Sequence, residues 1–357
     1  MLSAREAVRT LPSYHPPLGA RDGLRLDFNE NTVGCSPRVL ERLRHLDPEQ
    51  LARYPEREPV ERAIAEFLGV APGETLLTNG VDEAIHLLCE TYLETDDEAL
   101  IVVPTYSMYR IYGAATGARV IEIPAGKDFR FPAEAVLAGI TSRTRLIAIA
   151  NPNNPTGTVA PQEELLQIAR RQPFAAVLID EAYFEFCGQT LLKHWRETSN
   201  LFIARTFSKA YGLAGLRIGV LLGDPDQIRS VRRVSSPYNV NGVALACLPD
   251  ALADQEFIRQ YVSEVCKGRE RLQDALKSKG IPFWPSEANF VLARFGSPEF
   301  IQSIRQRGIL VRDRSSDHGC EGCVRITLGP RAHTDRLLAA LQETLQELGL
   351  AQGVIRP

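Results

Sequence analysis

No stretch of the 357-residue sequence approaches the roughly 20 consecutive apolar residues that a bilayer-spanning helix needs, so no membrane partner is expected. Residues 1–17 have no apolar stretch of the secretory-signal kind, and the expected location is cytoplasmic. An excess of basic charge is also missing. With 41 Lys and Arg against 44 Asp and Glu, the formal net charge is -3, so no global positive field recruits nucleic acid. Any anionic ligand must be held by a few placed cations and backbone amides. The seven cysteines are odd in number and lack framework spacing, which fits a reducing compartment better than a disulfide scaffold. Cys320 and Cys323 form one CxxC pair, but zinc needs further ligands and His318 alone does not supply them. Two free thiols around a turn are expected, and no metal. Internal repeats, low-complexity tracts and a helix-turn-helix are absent, which removes support for a DNA-binding regulator. No GxGxxG follows the early strands, which argues against a nicotinamide enzyme.

What is present is an ordinary soluble composition, 44% hydrophobic and 24% charged, with length enough for two domains. From about residue 56 to 220, helical segments alternate with short apolar runs, the pattern of a parallel sheet covered by helices. Residues 60–68 and 81–92 have helical spacing, the first closed by Gly69. Residues 99–103, 145–150, 176–180 and 201–205 read as buried strands, each ending in a polar cluster. In open α/β sheets, ligands sit beyond such strand ends. After residue 225 a long helix (256–279) precedes short strands at 289–294 and 324–328, alternating with helices at 298–307 and 335–348. The expected division is an arm over 1–24, a segment over 25–55 joining the small domain and the cleft, a large domain over 56–255, and a small α/β domain over 256–357.

Four polar clusters invite chemistry. Asp180 ends the apolar run of AVLIDEAYFEF, where a carboxylate is costly without a cationic or donor partner, although a helix N-cap is the commoner explanation. TFSKAYGLAGLRIG places Ser208 and Lys209 before Gly212, Gly215, Arg217 and Gly219. Such glycines permit a tight turn, and a lysine there is ordinarily a solvated charge. NPNNPTG (151–157) is an irregular loop in which Asn154 offers both a donor and an acceptor. TNGVDEAI (78–85) sets Gly80 just before a helix whose free N–H groups can hold an anion, or merely cap a helix.

In this order and spacing, NPNNPTG, DEAY and ARTFSKAYGLAGLRIG resemble the aspartate-aminotransferase superfamily of pyridoxal-phosphate enzymes, from about Leu24 to the last helix. The resemblance implies fold type I: a large domain with a mostly parallel sheet sandwiched by helices, plus a smaller C-terminal α/β domain. It implies that Lys209 holds pyridoxal 5′-phosphate as a Schiff base and then serves as the general base. Asp180 would pair with the pyridine nitrogen, Tyr183 and Asn154 would bond the phenolic oxygen, and Tyr106 would stack on the ring. Gly80, Val81, Asp82, Thr206, Ser208 and Arg217 would hold the phosphate. Resemblance also leads to the expectation that the Asn154–Pro155 peptide is cis.

Within the superfamily, LDFNEN, RYPE, PTYSMY, PYNVN, EANF and VRITLG resemble the histidinol-phosphate aminotransferases. That likeness implies Arg325 on the α-carboxylate, Arg312 on the substrate's phosphate, and Tyr54 reaching the cofactor phosphate of a second subunit in a homodimer. Substrates would be a small amino donor and a 2-oxo acid. Asn154 would also face the substrate. Tyr14 and Tyr238 either line the substrate end or pack, and Arg312 is either a phosphate ligand or a surface residue paired with Asp313 or Asp317. Three positions depart from the pattern: Thr32 replaces a usual proline, Val81 a smaller residue, and Val220 an aromatic one. None removes a chemical group. Aromatic aminotransferases and phosphothreonine decarboxylases share the lysine, the aspartate and the loop, so they stand as alternatives beside a non-enzymatic ligand sensor.

Overall fold

The computed structural model describes residues 2–13 and 21–350. The arm carries a short helix, Glu6–Arg9, and the first strand is β1 (Leu24–Arg25). The main sheet then takes β2 (Thr75–Thr78), β3 (Glu98–Val103), β4 (Arg119–Pro124), β5 (Thr144–Ala150), β6 (Ala176–Asp180), β7 (Leu201–Thr206) and β8 (Gly219–Leu222). Its order is β2-β8-β7-β6-β5-β3-β4, and β8 alone runs against its neighbours. The central strands are buried on both faces, which is why they read as continuous apolar runs such as AVLI and LFIA. Strand β4 is an edge whose alternating exposure matches its RVIEIP pattern, and the sequence reading leaves it unassigned.

The C-terminal part carries β9 (Phe283–Trp284), β10 (Phe290–Arg294), β11 (Ile309–Leu310), β12 (Arg312–Asp313) and β13 (Cys323–Thr327). The antiparallel sheet β12-β13-β10-β9 is separate from the main sheet, and β11 pairs with β1 in parallel. Helix Gln255–Ser278 packs on β10 and β9, and helix Arg331–Glu347 packs on that helix, with Val265, Leu272, Leu337 and Leu341 buried. The chain from β1 to Asn31 therefore lies between the two sheets: Arg325 donates to the Asp27 carbonyl at 2.6 Å, and Asn31 donates to the Ala210 carbonyl at 2.9 Å.

Expected elements appear within a few residues of their expected bounds. Helix Glu58–Leu68 stops at Gly69, which takes the left-handed conformation at φ 69°. Helix Arg331–Glu347 begins four residues before the expected 335. Helix Gly242–Ala253 is not anticipated from the sequence; Pro249 inside it and its almost wholly apolar composition obscure the helical period, although only Ala244, Leu245, Cys247, Leu248, Ala251 and Leu252 are buried. Thr32, in place of the usual proline, supplies an N–H that a proline lacks: it donates to the Tyr261 hydroxyl at 3.3 Å, and the Thr32 hydroxyl lies 2.9 Å from His333 Nδ1. Val220 is fully buried in β8.

Candidate active site

The carboxyl ends of β5, β6 and β7 meet the start of helix Gly80–Tyr92 and one face of the small sheet around a cavity of about 380 Å³. That is the size of a site for a small cofactor and its substrate. Asp180, the last residue of β6, is 5% exposed. One carboxylate oxygen accepts from the Tyr109 hydroxyl at 2.6 Å, and the other from the Ala182 N–H at 3.0 Å. Burial pushes this carboxyl up to about 6, against the pull of both donors and of Lys209. The Tyr109 hydroxyl is itself held well above its ordinary range by burial and by Asp180, so it remains a donor.

Lys209 follows β7 by three residues, and its turn closes through Gly212, where φ is 70° and a β-carbon would lie 2.3 Å from the Gly34 carbonyl. Its amine donates to the Phe28 carbonyl at 3.1 Å. Burial, and then the Arg325 charge, bring its pKa down to about 8. At that value about a tenth of the amine is neutral at pH 7, against a few parts in ten thousand for a solvated lysine. The polar cluster that could have been a surface turn is therefore a recessed, activated amine.

On one side of Lys209 is a cradle for an anion. Gly80 opens its helix at φ 75°, a conformation that favours glycine, and a β-carbon there would come within 2.6 Å of Arg217 Nη2 and displace the guanidinium. Asp82 takes the Tyr106 hydroxyl at 2.7 Å and Arg217 at 3.0 Å, one on each oxygen, which fixes both side chains at the cavity wall. The Thr206 hydroxyl accepts the Ser208 N–H at 3.1 Å. Ser208 Oγ is buried and makes no hydrogen bond among the described residues. A phosphate oxygen is the partner that such a hydroxyl, a helix N-terminus and an arginine share. With the buried acid Asp180 and the low-pKa amine Lys209, the donor set fits pyridoxal phosphate.

On the other side lie Tyr183, Asn154, Arg312 and Arg325. Tyr183 is buried edge-on to Phe290, and its hydroxyl accepts from Asn29 at 2.9 Å. Arg325 donates to Asn154 Oδ1 at 2.5 Å. The Asn154–Pro155 peptide is cis, as expected. Arg325 stands third of five residues in β13 rather than at the strand start, directly opposite Arg312 in β12. Arg312 lines the cavity with its guanidinium 5.6 Å from the Phe28 ring, and Asp317 pairs with Arg314.

Tyr54 and Tyr238 do not line this cavity. They stack on each other, centroids 4.3 Å apart, with 78% and 53% of their surfaces exposed. Tyr14 lies outside the described residues. Cys320 and Cys323 are fully buried beside Leu292, Phe129 and Trp284. Three site residues escaped the sequence reading. Tyr109 was legible in principle, because Tyr106 and Tyr109 are three apart at a helix start and so share a face. Asn29 is held at φ 55° by bonds to Tyr183, Thr327 and Asn289, a strained residue fixed from several sides. No sequence signal marks it. Arg314 also lines the cavity.

Comparison with known proteins agrees with this geometry. Residues 21–341 match the family of class I and II aminotransferases. A histidinol-phosphate aminotransferase of Geobacillus sp. (strain WCH70) is 35% identical, with 97% of this chain and 99% of the relative covered. One from Thermococcus gammatolerans is 36% identical over 90% of this chain and 91% of its own. The structure of histidinol-phosphate aminotransferase from Sinorhizobium meliloti in complex with pyridoxal-5′-phosphate superposes with a TM-score of 0.87 at 27% identity, covering 96% of this chain and 97% of that one. With a family match over nearly its whole length and a cavity whose donors fit the cofactor, the chain belongs to the class I and II aminotransferases, enzymes that depend on pyridoxal phosphate.

Proposed function

We propose that this aminotransferase exchanges the amino group of histidinol phosphate with 2-oxoglutarate, giving imidazole-acetol phosphate and glutamate in histidine biosynthesis. The observation that carries the reading is the opposed pair Arg312 and Arg325, facing the same cavity as Lys209. Two guanidiniums side by side suit a phosphate monoester better than an uncharged aromatic side chain. On glutamate, Arg325 takes the α-carboxylate; on histidinol phosphate, which has no carboxylate, both arginines converge on the phosphate.

Bound pyridoxal phosphate supplies an electron sink for the bond broken at the substrate's α-carbon. Lys209 Nζ anchors it, then takes the α-proton and returns it during the exchange. Asp180 would keep a proton on the cofactor's ring nitrogen, with Tyr109 and the Ala182 N–H orienting that carboxylate. Tyr183 and Asn154 would hold the phenolic oxygen, and Tyr106 would cover the ring. Gly80, Val81 and Asp82 at the helix N-terminus, with Thr206, Ser208 and Arg217, would bind the phosphate.

The same reading includes a homodimer in which the exposed Tyr54 reaches the partner's cofactor phosphate, and a division near residues 56–255 and 256–357, supported by the separation of the seven-stranded sheet from the four-stranded one. A cytoplasmic location is supported by seven free cysteines. The test is a steady-state panel of donors against 2-oxoglutarate. Histidinol phosphate should give the highest kcat/KM, and preference for phenylalanine or tyrosine would replace the reading with an aromatic aminotransferase.

A further inference from the structure

Asn29 belongs to the segment that crosses between the two sheets, and it is buried at φ 55°, a backbone that asparagine tolerates better than most residues. Its backbone N–H donates to the hydroxyl of Thr327, the last residue of β13, at 3.1 Å. The Thr327 hydroxyl in turn donates to Asn29 Oδ1 at 3.1 Å. Asn289, just before β10, donates from its side-chain amide to the Asn29 carbonyl at 3.0 Å and pins the backbone. From the other end of its own side chain, Asn29 Nδ2 donates at 2.9 Å to the hydroxyl of Tyr183, three residues past β6.

The direction of this relay is fixed at its start. A backbone N–H can only donate, so the Thr327 oxygen accepts there and its own proton goes to an acceptor. That acceptor is Oδ1, which leaves the amide NH2 of Asn29 facing Tyr183. An NH2 can only donate, so the Tyr183 oxygen is the acceptor in this contact and its proton points elsewhere. Burial holds the Tyr183 hydroxyl above its ordinary range, so it stays protonated. Tyr183 lines the cavity, with Lys209 Nζ 6.0 Å from its ring centroid, and among the described residues its hydroxyl bonds to Asn29 alone. Its proton is left for the cavity.

We propose that Asn29 is a positioning residue: with Thr327 it turns the Tyr183 O–H into the cavity, toward the phenolic oxygen of the bound cofactor. The small sheet thereby sets the direction of a donor carried by the large one. The proposal rests on the reading that gives Tyr183 the phenolic oxygen, and it is independent of which amino donor is used.

The experiment titrates the cofactor absorbance of the purified holoenzyme with pH. It compares the wild type with Tyr183→Phe, Asn29→Gly, Thr327→Val, Thr327→Ser and the double variant of Tyr183→Phe with Asn29→Gly. A donor to the phenolic oxygen favours the form in which the Lys209 linkage has lost its proton. Losing that donor in Tyr183→Phe should therefore raise the absorbance midpoint by roughly one to two pH units. Asn29→Gly, which suits a positive φ, should raise it by about half as much or more, and by nothing further in the Tyr183→Phe background. Thr327→Val should move the midpoint the same way, and Thr327→Ser, which keeps the hydroxyl, should restore it. A residue that only filled space would not give that split. An unmoved midpoint in Asn29→Gly, or an equal shift with and without the Tyr183 hydroxyl, overturns the inference while leaving Tyr183 on the phenolic oxygen. Should Asn29→Gly fail to fold, equal midpoints in Thr327→Val and Thr327→Ser overturn it instead. No shift in Tyr183→Phe overturns both.

Discussion

Arg312 and Arg325 stand directly opposite each other on the antiparallel strands β12 and β13, two like charges on one face of a small sheet. Like charges in that position destabilise a sheet. Their placement at the cavity, with the Arg325 guanidinium also donating to Asn154 and to the Asp27 carbonyl, is the geometry of a prepared anion site. Arg312→Ala should weaken histidinol phosphate more than glutamate, and Arg325→Ala should damage both half-reactions. Each lost charge-assisted contact costs on the order of 1.5–3 kcal/mol, or roughly ten- to a hundredfold in kcat/KM. Single-turnover kinetics of the two half-reactions checks this. Equal, small effects of Arg312→Ala on both substrates would contradict it.

Lys209 carries the second prediction. Because its amine titrates near 8, uptake of pyridoxal phosphate by the apoenzyme should quicken about tenfold from pH 7 and level off by about pH 9. Stopped-flow absorbance reads the rate. A rate still climbing toward pH 10.5 would show an ordinary, solvated lysine. Lys209→Ala should abolish turnover while leaving some noncovalent cofactor binding.

Asp180 gives a stability prediction with a definite sign. Its carboxyl is raised from 3.8 in the unfolded chain to about 6 in the fold. A raised carboxyl favours the fold while protonated, so that contribution is complete below about pH 4 and is lost as pH rises through 6. Relative to apo Asp180→Asn, the wild-type apoenzyme should therefore lose on the order of 3 kcal/mol between those limits. Urea melts across the range measure the difference. A flat difference would mean that Asp180 pays no desolvation cost.

Tyr54 tests the assembly. The protein should be a homodimer by sedimentation, and Tyr54→Ala should weaken cofactor retention although Tyr54 does not line its own chain's cavity. A fully active monomer at assay dilution would contradict this.

The sheet and most of the cofactor site were legible because their signals are local. AVLID ends in an acid, LFIART runs into SKAYG, and TNGVDE starts a helix, so strand end, turn and charge lie within a few residues of each other. What was not legible depends on distant partners. Asn29 matters because Tyr183 and Thr327 lie against it, about 150 and 300 residues away, and nothing in LDFNEN announces them. Arg314 looked like one more charge in VRDRS until the β12–β13 register turned it toward the cavity. Tyr109 was hidden differently: PTYSMY offered two tyrosines, and only packing shows that Tyr106 serves Asp82 while Tyr109 serves Asp180.

The most direct test of the central claim is a two-step single-turnover experiment on the purified holoenzyme, followed by cofactor absorbance. Histidinol phosphate alone should convert the cofactor stoichiometrically to its amino form, and 2-oxoglutarate should then restore the starting spectrum with one equivalent of glutamate released. Carbon dioxide released from phosphothreonine, with no spectral change on histidinol phosphate, would contradict the account.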